Sequence, residues 1–286
     1  MYGIIHLKRW LRYGIAAAVL LTGVWVGGVL AYANTAETGV RVPVVMYHAV
    51  IDDSTRQGQY VILPEELESD FRWLKSEGYT PILSHDLIGF CTRGEPLPEK
   101  PILLTFDDGY YNNYRYAFPL AKEYGMKFVL SPIGKYTDLY SETPDTSPYY
   151  AHCTWDMLRE MHSSGLVEIG NHSYDLHGTE NGMLGTKRLA EESMEVYAAR
   201  LREDVLLAQS RFEEELNYSP VLFTYPFGAV SEGEPELIRD MGFGVTLSCE
   251  EKISTVTSDP ESLTALGRFL RPGGESSETF FSRILS

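Results

Sequence analysis

This chain is poor in cysteine and in positive charge, and each shortage excludes a class of protein. Three cysteines in 286 residues, with no close pair among them, rule out a disulfide framework and a thiolate metal site, although one bridge stays open. Lysine and arginine number 24 against 40 acidic residues, for a formal net charge of −16. So acidic a chain is a poor partner for nucleic acid or anionic lipid, but it tolerates a neutral or cationic polymer.

The first 33 residues read as a targeting segment that precedes the fold. Three basic residues are followed by an uncharged stretch of 17 residues at 14–30 and by Ala-Tyr-Ala at 31–33. This pattern fits a cleaved signal peptide, and the apolar stretch is also just long enough for an uncleaved membrane anchor. Either way the basic residues stay inside, so we expect the remainder outside the cytoplasm, secreted or held at the outer face of a membrane. Residues 34–42 are expected to be a linker.

Apolar runs alternate with amphipathic segments over the remaining 250 or so residues, which contain no internal repeat. The predicted strands are 42–47, 80–83, 102–106, 127–131, 167–170, 221–225 and 244–247, and the predicted helices include 64–77, 114–124, 155–164 and 186–216. Such alternation predicts an α/β fold with a parallel sheet and outer helices. At this length a barrel is favoured over an open sheet. Residues 137–152 are predicted to be a long loop that shapes a substrate groove.

Two adjacent aspartates, Asp107 and Asp108, end the strand predicted at 102–106 and precede Gly109. Neighbouring side chains of a strand point to opposite faces, so both carboxylates can serve one site only where the pleat breaks. Active sites of parallel α/β folds lie at this carboxyl end of the strands. One carboxylate can bind a cation there while the other moves a proton. Alone, Asp-Asp-Gly would more often be a surface turn.

Two histidines, His172 and His177, follow the apolar strand predicted at 167–170. Five residues apart, they would lie about 140° apart on a helix and on opposite faces of a strand, so they can converge only from a loop. Two imidazoles and one carboxylate leave a ligand position open for water, which is typical of a catalytic metal site. Imidazole ligands favour zinc, with cobalt or nickel as alternatives, over magnesium.

These two segments together resemble a known family. Thr-Phe-Asp-Asp-Gly at 105–109 and Asn-His-Ser-x-x-x-His at 171–177 resemble the polysaccharide deacetylases with a NodB-homology domain, a carbohydrate esterase family. Pro-Val-Val-Met-Tyr-His at 43–48 resembles the subgroup that deacetylates poly-N-acetylglucosamine exopolysaccharides, whose histidines are also five apart. The resemblance runs from about 42 to 272 and implies that 43–286 is one deacetylase domain. It further implies a distorted, seven-stranded (β/α) barrel that binds one divalent metal ion.

The resemblance assigns roles by position. Asp107 matches the catalytic base, and Asp108, His172 and His177 match the metal ligands. The general acid of many relatives is a late histidine, yet no histidine follows His177 in this chain. In the exopolysaccharide subgroup the Met-Tyr-His segment supplies it, which makes His48 the candidate.

The segment 223–228 resembles the third family motif, with one departure. Thr224 stands where the family has an arginine that orients the catalytic aspartate. Arg268 or Arg271 is the candidate to supply that cation from another strand end. The residues expected at the oxyanion, through a backbone N–H, and at the substrate are Phe227, Pro226 and Tyr110.

The function implied is metal-dependent hydrolysis of N-acetyl groups from an extracellular or cell-wall polysaccharide that contains N-acetylhexosamine. An O-acetyl esterase of the xylan type is a rival with the same chemistry, and a non-catalytic glycan-binding protein on the same fold is a rival of another class. The expected partner is an N-acetylated glycan, without nucleic acid, and a membrane if the N-terminal segment is uncleaved. We expect a monomer.

Overall fold

The computed structural model describes residues 39–285, so the expected signal peptide or anchor at 1–33 lies outside the described residues. Over that range the strands are β1 (Val40–Val42), β2 (Val44–Tyr47), β3 (Ala49–Val50), β4 (Val61–Ile62), β5 (Thr80–Ile82), β6 (Pro101–Asp108), β7 (Phe128–Pro132), β8 (Val167–Ile169), β9 (Leu222–Thr224), β10 (Val245–Leu247), β11 (Ser254–Val256) and β12 (Phe269–Leu270). The helices are α1 (Pro64–Ser76), α2 (Ser84–Arg93), α3 (Phe118–Tyr124), α4 (Gly134–Glu142), α5 (Trp155–Ser163), α6 (Met194–Leu216), α7 (Glu234–Asp240) and α8 (Ser277–Leu285). None of the helices between 39 and 285 has the length and apolar character needed to span a bilayer.

The predicted α/β fold with a mostly parallel sheet is confirmed. One sheet has the strand order β12-β2-β6-β7-β8, and β5 also pairs with β6, all in parallel. The pairs β9–β10 and β3–β4 are parallel, and β1–β11 is antiparallel. These regular pairings form separate sheets rather than one closed barrel. Single parallel bridges, Asn171 with Phe223 and Leu247 with Leu266, lie between them.

Strand β6 places the two aspartates. All eight of its residues are buried, because β2, β5 and β7 pair with its edges and a hydrophobic core packs on each of its faces. Its sequence is accordingly a continuous apolar run up to Thr105. Ile102, Leu104 and Phe106 face the core under the helices, whereas Leu103 faces a second core shared with β9 and β10. By alternation Asp107 lies on the Leu103 side of the strand.

The strand ends in a turn that requires glycine. Asp108 has φ 69° and Gly109 has φ 72°, so the pleat breaks at Asp108, as predicted for a shared site. A Cβ atom on Gly109 would lie 2.5 Å from Cβ of Pro132 and 2.8 Å from its Cα. Glycine is therefore the residue that lets β6 turn against the end of β7.

Three expected boundaries shift in the structure. The end of the expected linker forms β1, and the helix predicted over 186–216 begins only at Met194, where the Ser193 side chain accepts a hydrogen bond from the N–H of Val196. The prediction of a loop over residues 137–152 was wrong for residues 137–142, which belong to α4. Tertiary contacts override weak helix propensity there, since the Asp138 carboxylate accepts hydrogen bonds from Trp155 and Arg211. All three cysteines are free thiols.

Candidate active site

The structure brings the three expected metal ligands together at the carboxyl end of the sheet. One ligand atom each from Asp108, His172 and His177 lies within 4.8 Å of the others. Oδ1 of Asp108 is 3.6 Å from Nε2 of His172 and 3.4 Å from Nε2 of His177. This oxygen is buried and has no hydrogen-bond partner within residues 39–285. A buried carboxylate oxygen facing two imidazole nitrogens at these separations fits a divalent cation.

Electrostatics keeps the ligand carboxylate charged. Burial by itself raises the pKa of Asp108, but the electrostatic influence of His172, together with that of His48 and His177, holds that pKa well below its usual range. Asp108 is therefore an ionised carboxylate, which is the form that binds a cation.

The backbone conformation of residues 171–178 lets two histidines five residues apart reach the same site. Ser173 has φ 68°, and its N–H donates to Oδ1 of Asn171 at 2.8 Å, so the chain turns directly after His172. Nδ1 of His172 donates to the carbonyl of Thr224 at 2.7 Å. Because a carbonyl only accepts, this bond places the proton on Nδ1 and turns the Nε2 lone pair toward Asp108.

Helix α6 stabilises the loop at residues 171–178 through hydrogen bonds. The carboxylate of Asp204 accepts hydrogen bonds from the backbone N–H groups of Tyr174 and Asp175, both at 2.8 Å. These two residues lie between the two histidine ligands in the chain. No motif in the sequence singles out Asp204, because its role depends on α6 packing against a loop that is 30 residues away along the chain.

The second aspartate is held by one of the two candidate arginines. Oδ1 of Asp107 accepts from Nη1 of Arg268 at 2.7 Å, and Arg268 also donates to Thr105 at 3.3 Å and to the carbonyl of Ser248 at 2.8 Å. Burial raises the pKa of Asp107, but the charge of Arg268 and of the nearby histidines outweighs burial and lowers it. Asp107 is thus a fixed, ionised carboxylate beside the ligand cluster.

The other candidate, Arg271, lies elsewhere. It makes two hydrogen bonds to the buried carboxylate of Asp70, at 2.9 and 3.0 Å. Arg268 and Arg271 flank β12 and are three residues apart, and an odd separation along a strand turns side chains to opposite faces. We therefore retain only Arg268 as the residue that orients Asp107.

His48 lies on the open side of Asp107. Its Nε2 is 3.9 Å from Oδ2 of Asp107, the oxygen that does not contact Arg268. Burial lowers the pKa of His48, and the attraction of Asp107 only partly offsets this. A neighbouring carboxylate favours the protonated ring, yet in this protein the cost of burying a charged imidazole is larger, so the ring is neutral at rest.

A cavity of about 730 Å³ opens over these residues, and two of the three expected substrate residues line it. Tyr110 and Phe227 line the cavity, and the Phe227 ring lies 4.4 Å from the His177 ring with its backbone at φ 57°. Pro226 is buried and does not line the cavity. Three further lining residues, Arg56, Tyr60 and Tyr149, carry no motif, because the cavity wall they form exists only in the folded chain.

Comparisons with known proteins show which family the chain resembles. The chain matches the family model described as polysaccharide deacetylase over residues 94–246. The poly-β-1,6-N-acetyl-D-glucosamine N-deacetylase of Escherichia coli (strain K12) is 24% identical over 262 residues, which are 85% of this chain and 38% of that protein. A de-N-acetylase structure from Aggregatibacter actinomycetemcomitans is 28% identical with a TM-score of 0.71, covering 86% of this chain and 99% of that one. A deacetylase-domain structure from Bordetella bronchiseptica is 25% identical with a TM-score of 0.66, covering 82% and 97%.

The fold and the site therefore define a carbohydrate-modifying α/β protein, and the chain belongs to the polysaccharide deacetylase family. The chain spans well under half the length of the Escherichia coli relative. The matched range contains Asp107, Asp108, His172, His177 and Phe227, but it ends before Arg268 and begins after His48.

Proposed function

We propose that this protein hydrolyses N-acetyl groups from an N-acetylhexosamine polysaccharide and releases acetate, using one divalent cation, with zinc as the first candidate. The observation that carries this proposal is the ionised Asp107, fixed by Arg268 beside the cluster of Asp108, His172 and His177. Among candidate substrates we favour poly-β-1,6-N-acetylglucosamine, because the Escherichia coli relative is named for it.

Each residue has a distinct task in this proposal. A cation held by Asp108, His172 and His177 would supply Lewis-acid chemistry, polarising an amide carbonyl and acidifying water. Asp107 takes the proton of the attacking water through Oδ2, while Arg268 holds Oδ1 and so orients the carboxylate. The backbone N–H of Phe227 donates to the developing oxyanion, a contribution often of ~3–4 kcal/mol for one donor.

The departing amine must be protonated, because an amide ion is a very poor leaving group. His48 is our candidate for this acid, since its Nε2 faces Asp107 at 3.9 Å and it lines the cavity. Because the ring is neutral at rest, we propose that His48 receives the proton that Asp107 has taken and passes it to the amine. One proton thus moves from water to the leaving nitrogen.

Acetate release by the full-length protein, in mild detergent with zinc or cobalt and with a chelator control, tests the function. The substrates are poly-β-1,6-N-acetylglucosamine oligomers, chitin oligomers, peptidoglycan and acetylated xylan. Chelator-sensitive release from an N-acetylated glycan supports the proposal. Release from acetylated xylan alone supports an O-acetyl esterase, and binding of a glycan without release supports a non-catalytic protein.

Two variants test the division of labour between base and ligands. Asp107→Asn has nearly the same shape and leaves the ligand cluster intact, so we expect it to lose at least ~10²-fold in kcat and to keep the metal. His172→Ala removes a ligand and should lose both metal and turnover. Metal content of the purified variants, measured beside acetate release, would refute the ligand assignment if His172→Ala kept its metal.

We also propose that β2, β6, β7, β8, β9, β10 and β12 form a distorted seven-stranded barrel. The two single bridges support this, because they lie where β8 meets β9 and where β10 meets the chain that leads into β12.

We further propose that the protein acts outside the cytoplasm, secreted or at the outer face of a membrane. The basic residues and apolar stretch of the first 33 residues support this. The test is whether protease added to intact cells or spheroplasts digests the protein.

A further inference from the structure

Two tyrosines that line the active-site cavity have strongly exposed side chains. Tyr60 is 52% exposed and Tyr149 is 47% exposed, although both line the cavity that contains Asp107 and the three candidate metal ligands. They come from separate parts of the chain, between β3 and β4 and between α4 and α5. Aromatic faces left open inside a cavity that also holds polar catalytic groups are typical of a ligand site.

Hydrogen bonds hold the backbone beside both tyrosines, and the Tyr149 ring also lies against Arg56. The carbonyl of Tyr60 accepts the N–H of Ala49 at 3.1 Å, next to the β3–β4 pair. The guanidinium of Arg56 lies 5.1 Å from the centre of the Tyr149 ring, a cation–π distance. The side chain of Asn112 donates to the carbonyl of Pro148 at 2.9 Å, directly before Tyr149 in the chain. A preformed surface of this kind loses little conformational entropy when it binds.

The position of Tyr60 indicates which part of a glycan would lie against it. Its ring makes an edge contact with the His48 ring, with centroids 4.9 Å apart. In the proposed reaction His48 protonates the nitrogen that stays on the sugar, so the sugar ring lies on the His48 side of the cavity. Tyr60 is an exposed aromatic residue in contact with His48. Pyranose faces carry C–H groups, which pack well against the π face of an aromatic ring.

We propose that Tyr60 and Tyr149, with Arg56 behind Tyr149, form a subsite for an N-acetylhexosamine ring of the chain next to the sugar that is deacetylated. This inference rests on the proposed function and adds to it a requirement for an oligomeric substrate. A volume of about 730 Å³ agrees, because it exceeds what a single N-acetyl group needs and lies in the ~300–1,000 Å³ range of pockets for larger ligands.

The test compares Tyr149→Ala, Tyr149→Phe and Tyr150→Ala in the full-length protein. Tyr150 is a matched control, since it is the next residue, is 56% exposed and does not line the cavity. The probes are N-acetylglucosamine oligomers of two to six sugars and a small aryl acetate. We expect Tyr149→Ala to raise KM for the longer oligomers about three- to tenfold with kcat nearly unchanged. The small ester should be unaffected, and Tyr149→Phe and Tyr150→Ala should behave as the parent protein does.

The outcomes separate the subsite from the function. If the parent protein releases acetate but Tyr149→Ala leaves the chain-length dependence of KM unchanged, the subsite is overturned and the function stands. If the parent protein releases no acetate, the function fails, and calorimetric titration with the hexamer then decides the subsite. If Tyr149→Ala binds the hexamer more weakly than the parent protein and the two control variants do not, the subsite is supported. Equal binding by the parent protein and Tyr149→Ala, or no binding by either of them, overturns it.

Discussion

The substitution Arg271→Met should lower the stability of this protein without lowering its kcat. Arg271 and Asp70 form an ion pair in which both side chains are fully buried, and the Tyr47 hydroxyl also donates to Asp70 at 3.0 Å. Arg268 forms an equally buried pair, but with Asp107 at the candidate active site. Arg271→Met and Arg268→Met are therefore the same substitution made on two faces of one strand.

The size of the effect follows from the partner left behind. Removing one member of a buried pair costs about 3–5 kcal/mol, because the remaining charge stays buried without compensation. At about 2–4 °C per kcal/mol for a domain of this size, Tm should fall by roughly 6–20 °C in both variants. Only Arg268→Met should also lose kcat, by about 10²-fold, because the carboxylate of Asp107 loses its orientation.

The pH dependence of Arg271→Met has a definite sign. Burial already raises the pKa of Asp70, against the opposing charge of Arg271, and loss of that charge raises it further. The folded variant then holds a proton that the unfolded chain has released, so its unfolding free energy falls as pH rises through the folded pKa. The deficit relative to the parent protein should accordingly be smaller in mild acid than at neutral pH.

Thermal unfolding and acetate release, measured well below the lowest Tm, test this reasoning. The double variant Asp70→Leu/Arg271→Met should recover much of the lost stability, because it removes the orphaned carboxylate. A large loss of kcat in Arg271→Met with an unchanged Tm would refute the assignment, since Arg271 would then act on the site and not on the core.

Two further variants test how the site is supported. Burial raises the pKa of Asp204 to about 6, so its proton is held by the folded state between about pH 4 and 6, and unfolding free energy falls with rising pH there. Asp204→Asn should flatten the slope of unfolding free energy against pH, measured by urea titrations. It also loses one hydrogen bond to the ligand loop, so cobalt binding should weaken about tenfold. An unchanged slope and an unchanged affinity would contradict this. Gly228→Ala would place Cβ 2.5 Å from Cβ of Cys249 and 2.6 Å from its backbone N. The backbone at Phe227 would then shift, so kcat should fall at least ~10²-fold while metal content is kept. Gly125→Ala, also at positive φ but facing open space, is its control, and equal activities would argue against a fixed backbone at 226–228.

Much of the site was predictable because its chemistry is local in the chain. Asp107 and Asp108 end one apolar run, and His172 and His177 surround a sharp turn after another, so strand ends and spacing indicated a shared metal site. The strand predicted at 102–106 is the centre of β6, Pro101–Asp108. Its continuous apolar character requires burial on both faces, and the structure provides it through the two hydrophobic cores that pack on either side of the strand.

Predictions failed where long-range packing outweighs local preference. Residues 137–142 have a turn-like composition, yet they are helical because Asp138 is bound by side chains from α5 and α6. The neutral state of His48 was also not predictable, because it depends on how deeply the ring is buried relative to Asp107.

The sequence by itself indicated that two aspartates end one strand and that two histidines follow another, because these features depend on residue types and spacings within a few positions. The assignment of Asp107 as the aspartate free of the cation came from the family resemblance. Only the tertiary structure decided which arginine reaches Asp107, since that depends on which side chain next to β12 lies on the same face of the sheet as Asp107. It alone also decided which tyrosines of the nineteen in the chain face the cavity. Such choices depend on atoms brought together from distant segments, and no local pattern in the chain records them.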